Sequence, residues 1–130
     1  MNMKYYTVIF SIALLFTACS GENQEGKALY QKHCANCHGD QGEGLEQLNP
    51  PLANSDMLKA AGPGAACWIQ NGLHGPIVVN GQNFEHVMPP MPQLSAIEIV
   101  NILNYVNNSW GNKRIFITLE EINKVLENCN

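Results

Sequence analysis

The five residues Cys34-Ala35-Asn36-Cys37-His38 restrict this chain more than any other feature, because they set two thiols three residues apart with an imidazole directly behind them. On a helix, positions three apart share a face. A thioredoxin-type redox pair would follow a strand and open a helix within a βαβ unit, whereas the residues before Cys34 read as helix and no parallel strands are visible. Structural zinc needs four ligands in a tetrahedron, usually from two such knuckles, and there is no second one. A plain disulfide between Cys34 and Cys37 suits an oxidising compartment but gives His38 no role. Covalent haem uses all three side chains: both thiols add across the vinyl groups of one porphyrin, and His38 supplies a nitrogen to the iron.

A macrocycle would also supply core that a chain of 130 residues otherwise lacks. Disorder is excluded by 45% hydrophobic residues against 14% charged ones, and a two-domain enzyme with a deep cleft does not fit the length. Lys and Arg number 7 against 11 Asp and Glu, a net charge of −4. With no basic stripe, nucleic acid is not a partner.

The N-terminus reads as an export signal rather than as part of the fold. Lys4 gives a minimal positive start, residues 5–16 are mostly apolar, and Leu15-Phe16-Thr17-Ala18-Cys19 closes the segment. The apolar run falls short of the roughly 20 residues that span a bilayer. Its end resembles a bacterial lipobox, which implies lipidation of Cys19 as the first mature residue; Phe16 replaces the usual Leu, so cleavage after Ser20 to give a soluble product is the alternative. The expected organisation is a signal peptide over 1–18, a lipid-anchored tether over 19–25, a domain over 26–112 and a helical extension over 113–130.

Within the domain the pattern predicts a helix over 26–37 and a Gly- and Pro-rich loop over 39–52. A short helix capped by Asn54 or Ser55 runs through Ala60, and another starts at Pro63 and stops at Gly72. Residues 77–84 form a hairpin around Asn80-Gly81. Ser95 with Glu98, and Thr118 with Glu121, are capping boxes that open helices running to about Ser109 and Asn128. The class is all-α with a minor β-hairpin.

These residues resemble the class I, mono-haem c-type cytochromes, and the likeness covers most of the chain after the signal. Gly26, Tyr30 and Cys34-x-x-Cys37-His38-Gly39 are similar to the family's first helix and haem motif. Pro50-Pro51-Leu52 is similar to the segment whose proline carbonyl accepts a hydrogen bond from the proximal histidine, and Met88-Pro89-Pro90 to the distal-ligand loop. Residues 104–112 are close to the last helix of modules serving periplasmic dehydrogenases, nitrite reductases and haem–copper oxidases. The resemblance implies a small cytochrome c fold around one covalent haem c, and a first helix crossing the last, with Gly26 and Tyr30 against Ile102 and Tyr105. It also implies a role for Trp110 toward a haem propionate. The tail beyond Asn112 departs from the shortest members.

The sixth iron ligand decides between carrier and catalyst. A thioether favours ferrous iron and leaves no open position for substrate. Spacing alone leaves Met88 and Met91 open, each preceding a proline, with His86 and His74 as further candidates; the resemblance selects Met88. Met57 and Met91 then read as gap-fillers packed on the haem face or core, and His33, His74 and His86 as solvent-facing. With Cys19 assigned to lipid and Cys34 and Cys37 to haem, Cys67 and Cys129 remain and read as one disulfide, the alternative being two buried free thiols. The expected function is single-electron transfer between redox partners on the envelope side of a bacterial membrane. A catalytic haem protein with a labile sixth position, peroxidase-like, is the rival, and an obligate subunit of one oxidoreductase is a third reading.

Overall fold

The computed structural model describes residues 23–114 and 116–129. The export signal, Cys19 and the first part of the tether lie outside the described residues. The rest of the tether is folded: Asn23 caps α1 (Gln24–His33), its side chain accepting from the Gly26 N–H and donating to the Asn101 carbonyl at 3.0 Å. The first helix therefore starts two residues earlier than its apolar pattern suggests, because the capping side chain lies outside that pattern.

The expected single helix over 26–37 is two. Cys34, its φ stretched to −120° at a helical ψ of −36°, closes α1 and caps the one-turn α2 (Ala35–His38). At this junction Cys34 is buried while Cys37 is exposed. After the loop come α3 (Asp56–Ala61), capped by Ser55, a 3-10 turn over Gly62–Gly64, and α4 (Ala65–Asn71). Strands β1 (Ile77–Val79) and β2 (Gln82–Phe84) pair antiparallel with Ile77 opposite Phe84, turning through Asn80 and Gly81, both at positive φ. Two helices complete the fold, α5 (Ala96–Asn107) and α6 (Leu119–Leu126), and both carry the capping boxes read from the sequence.

Helix α1 crosses α5. A Cβ at Gly26 would collide with the Asn101 carbonyl, so glycine is what permits the close crossing. One turn on, Tyr30 is fully buried against Tyr105, ring centroids 5.6 Å apart. The inner face of α5 supplies Ile99, Val100, Ile102, Leu103 and Val106 to a core shared with Leu29, Leu58, Ala66, Ile69 and Leu94. The tail joins this core through Ile117 and Ile122. A bond between Cys67 on α4 and Cys129 beyond α6, with Cα atoms 5.5 Å apart, ties the chain's end to the body.

Candidate haem site

Helix α2, the loop after it and the segment at Met88 line an apolar cleft of about 90 Å³ that opens to solvent. Cys34, His38, Pro50, Leu52, Met57 and Met88 stand on its walls, opposite Ile102, Leu103 and Val106 of α5. Among the described residues no Lys, Arg, Asp or Glu lines it. A cleft of this kind would be a defect in a small core unless a large apolar group filled it.

His38 is held in one state. Its Nδ1 lies 3.0 Å from the Pro50 carbonyl oxygen, which can only accept, so Nδ1 carries a proton, and in the neutral ring Nε2 then keeps the lone pair. Burial pushes the imidazole pKa below its ordinary value, against the smaller opposing effect of the Pro50 bond, and so favours the neutral ring that binds metals. Burial, then the neighbouring Cys37, push the Cys34 thiol up to about 12. Behind the motif the Tyr30 hydroxyl donates to the Gly39 carbonyl at 2.6 Å, and burial raises its pKa so that it remains a donor.

Met88 is fixed through its backbone, exchanging both hydrogen bonds with Leu73 at 3.0 Å. The close approach needs Gly72 beside it: its φ is +78°, and a Cβ there would stand 2.6 Å from the Met88 carbonyl oxygen. Met91 is not among the residues lining the cleft; it packs on the core, with its N–H bonded to the Ile69 carbonyl. Met57, expected to pack on the haem face or core, lines the cleft. His74 is exposed. His86 is not merely solvent-facing: its Nδ1 lies 2.8 Å from Oδ1 of the buried Asn49. Trp110 is not among the residues lining the cleft; it packs against the core, its ring 4.9 Å from that of Tyr30 and edge-on to Tyr105 at 5.4 Å.

Three polar residues escaped the sequence reading. Asn49 donates to the Cys37 carbonyl, and Asn112 donates to the carbonyls of both Leu52 and Val106, closing the cleft wall. Arg114 donates to the carbonyl of Ser55, another lining residue, while its buried Nη1 has no partner among the described residues. A run of Asn in a sequence gives no sign of which amides will be buried.

The sequence pattern described as Cytochrome c matches residues 23–110, a span that includes the cysteine pair, His38, Pro50 and Met88. The chain belongs to the cytochrome c family. It is 31% identical over 110 residues to a cytochrome c-552 of Thermus thermophilus, covering 78% of this chain and 83% of that protein. It is 30% identical over 112 residues to a protein of Gluconacetobacter polyoxogenes named as the cytochrome c subunit of a quinone alcohol dehydrogenase. That match covers 83% of this chain but only 23% of the subunit. The cytochrome is a class I c-type protein, an electron carrier rather than an enzyme, and its cofactor is covalently bound haem c.

The residues present fit that group. Two free thiols flank one turn of helix, the adjacent imidazole offers a lone pair at Nε2, and a thioether stands on the wall of the same apolar cleft. Cys34, Cys37 and His38 would hold the haem, and its iron would supply a one-electron couple. The protein keeps charged side chains off the cleft walls and pins the imidazole through Pro50, which limits rearrangement when the charge on the site changes.

Proposed function

We propose that this cytochrome carries single electrons between redox enzymes of a bacterial cell envelope, with one haem axially bound by His38 and Met88. The observation that carries this reading is that an oriented, neutral His38 and the backbone-fixed Met88 line one apolar cleft. A soft thioether favours ferrous iron and occupies the position a substrate would need, which argues against the peroxidase-like alternative.

The donor we propose is a dehydrogenase, by analogy with the relative named as an alcohol dehydrogenase subunit. A nitrite reductase or a haem–copper oxidase is the proposed acceptor. An export segment ending in Cys19 supports attachment to the membrane by lipid, and no helix among the described residues is long and apolar enough to cross one. The Cys67–Cys129 bridge suits that oxidising location.

Optical spectra of the purified protein test the ligand set. The oxidised form should show the weak near-infrared sulfur-to-iron band, lost in Met88→Ala and retained in Met91→Ala. Absence of the band from the wild type would return the catalytic reading to first place.

A further inference from the structure

We propose that His86 is a positioning residue: through Asn49 it clasps the segment bearing Met88 to the segment bearing His38. The hydrogen-bond inventory fixes every proton in the clasp. The Cys37 carbonyl can only accept, so the Asn49 atom 3.0 Å from it is the amide nitrogen. The Asn49 oxygen must then face His86 at 2.8 Å, and because that oxygen also only accepts, His86 Nδ1 carries the hydrogen. The bond persists whether or not Nε2 is protonated as well.

Asn49 is a firm anchor. It is 8% exposed, it exchanges backbone hydrogen bonds with Leu45 at 3.0 and 3.2 Å, and the carbonyl of the next residue, Pro50, receives the His38 hydrogen bond. On the other side, His86 lies midway between Phe84, buried at the end of β2, and Met88, paired with Leu73. Glu85, His86 and Val87 are all exposed, and among the described residues His86 is the one side chain of residues 85–87 with a hydrogen bond. The clasp thus spans from the distal segment to the motif helix without passing through the cleft. It holds the Met88 segment in place independently of any bond to iron, so moving that segment away from the cleft would require breaking it. This consequence for ligation rests on Met88 being the sixth ligand; the clasp itself does not.

The experiment uses the full haem-loaded chain with His86→Phe, Asn49→Ala, the double variant and His86→Gln. One neutral hydrogen bond contributes about 1 kcal/mol net, or roughly fivefold in an equilibrium. His86→Phe should therefore raise the affinity of the ferric protein for imidazole about fivefold. It should also speed exchange of the Met88 amide. His86→Gln, which keeps an N–H donor, should recover much of both effects, and the double variant should exceed the stronger single variant by little. Nitrogen NMR of the ferrous wild type should find the His86 proton on Nδ1. A proton on Nε2 alone, or additive effects in the double variant, overturns the clasp. If the wild type lacks the near-infrared sulfur band, the ligand reading fails, and the NMR tautomer with Met88 amide exchange still decides the clasp.

Discussion

Asn104 and Ile117 exchange two hydrogen bonds across a buried contact: the amide nitrogen of Asn104 donates to the Ile117 carbonyl and the Ile117 N–H donates to the Asn104 oxygen, both at 2.8 Å. Asn104 is 2% exposed on α5, so the side chain acts there as a short piece of backbone that satisfies the tail where no strand or helix can. Asn104→Leu should destabilise the protein by about 2–4 kcal/mol, since it leaves a buried N–H and a buried carbonyl without partners. The fall should appear in the denaturant midpoint at an unchanged slope. A change below about 0.5 kcal/mol would mean the tail contributes little to the folded state.

The bridge between Cys67 and Cys129 closes a loop with a sequence separation of 62. Chain entropy limits its contribution to about 4 kcal/mol. Cys67→Ser with Cys129→Ser should lower the thermal midpoint while leaving the haem spectrum as it was, because neither cysteine lines the cleft. In the unreduced, unfolded wild type neither thiol should react with an alkylating reagent, and reduction should add two hydrogens to the mass.

Trp110 gives a third test. Its ring closes an aromatic cluster with Tyr30 and Tyr105, so Trp110→Ala should cost about 3 kcal/mol of stability through lost packing. Its reduction potential should shift little if the ring has no contact with a haem propionate, and spectroelectrochemistry checks this. A large shift in potential with little loss of stability would support the propionate role implied by family resemblance.

The local devices were legible because each is confined to a few neighbouring residues. The pairs Ser95 with Glu98 and Thr118 with Glu121 opened helices, Asn80-Gly81 turned a hairpin, and the apolar stripe of α5 faced the core. Cys34, His38, Pro50 and Met88 came together on one cleft as the motifs implied. The break at Cys34 was not legible, since nothing in the composition of residues 26–37 forbids a continuous helix. Nor were the amides of Asn49, Asn104 and Asn112, whose partners lie 6 to 60 residues away and exist only once the chain has folded. Trp110 followed the family's sequence, but its place in the structure is set by the rings of Tyr30 and Tyr105.

Acid stability should report on the capping boxes. The Glu121 carboxylate accepts from both the backbone and the hydroxyl of Thr118, which holds its pKa below the ordinary 4.5, and Glu98 is lowered mainly by the Ser95 hydroxyl and then by its backbone N–H. A carboxyl with a depressed folded-state pKa contributes stability that is present above its unfolded value and lost as pH falls through the folded one. The loss from these two groups should therefore begin near pH 4.5 and continue below it. Glu121→Gln and Glu98→Gln should each flatten the stability profile in that window, measured by denaturant titration at successive pH values. An unchanged acid limb in both variants would assign acid sensitivity to other carboxyls.

The position of α1 bears on how the domain would sit at a membrane. Asn23 is already bonded to Asn101, so only residues 20–22 separate Cys19 from the folded body. Four residue steps, from Cys19 to Asn23, reach at most about 14 Å when fully extended. A lipid on Cys19 would therefore hold the domain close to the surface and confine its search for partners to two dimensions. A single acyl chain binds reversibly, whereas the several chains of a bacterial lipoprotein should retain the protein in the membrane fraction. Cys19→Ala should either block maturation or release a soluble, haem-loaded protein with an unchanged visible spectrum, since the haem motif begins only at Cys34. Fractionation followed by mass measurement of the N-terminal peptide checks both outcomes. Recovery of the wild type in the soluble fraction with Gly21 as its first residue would remove the anchor and leave electron transfer intact.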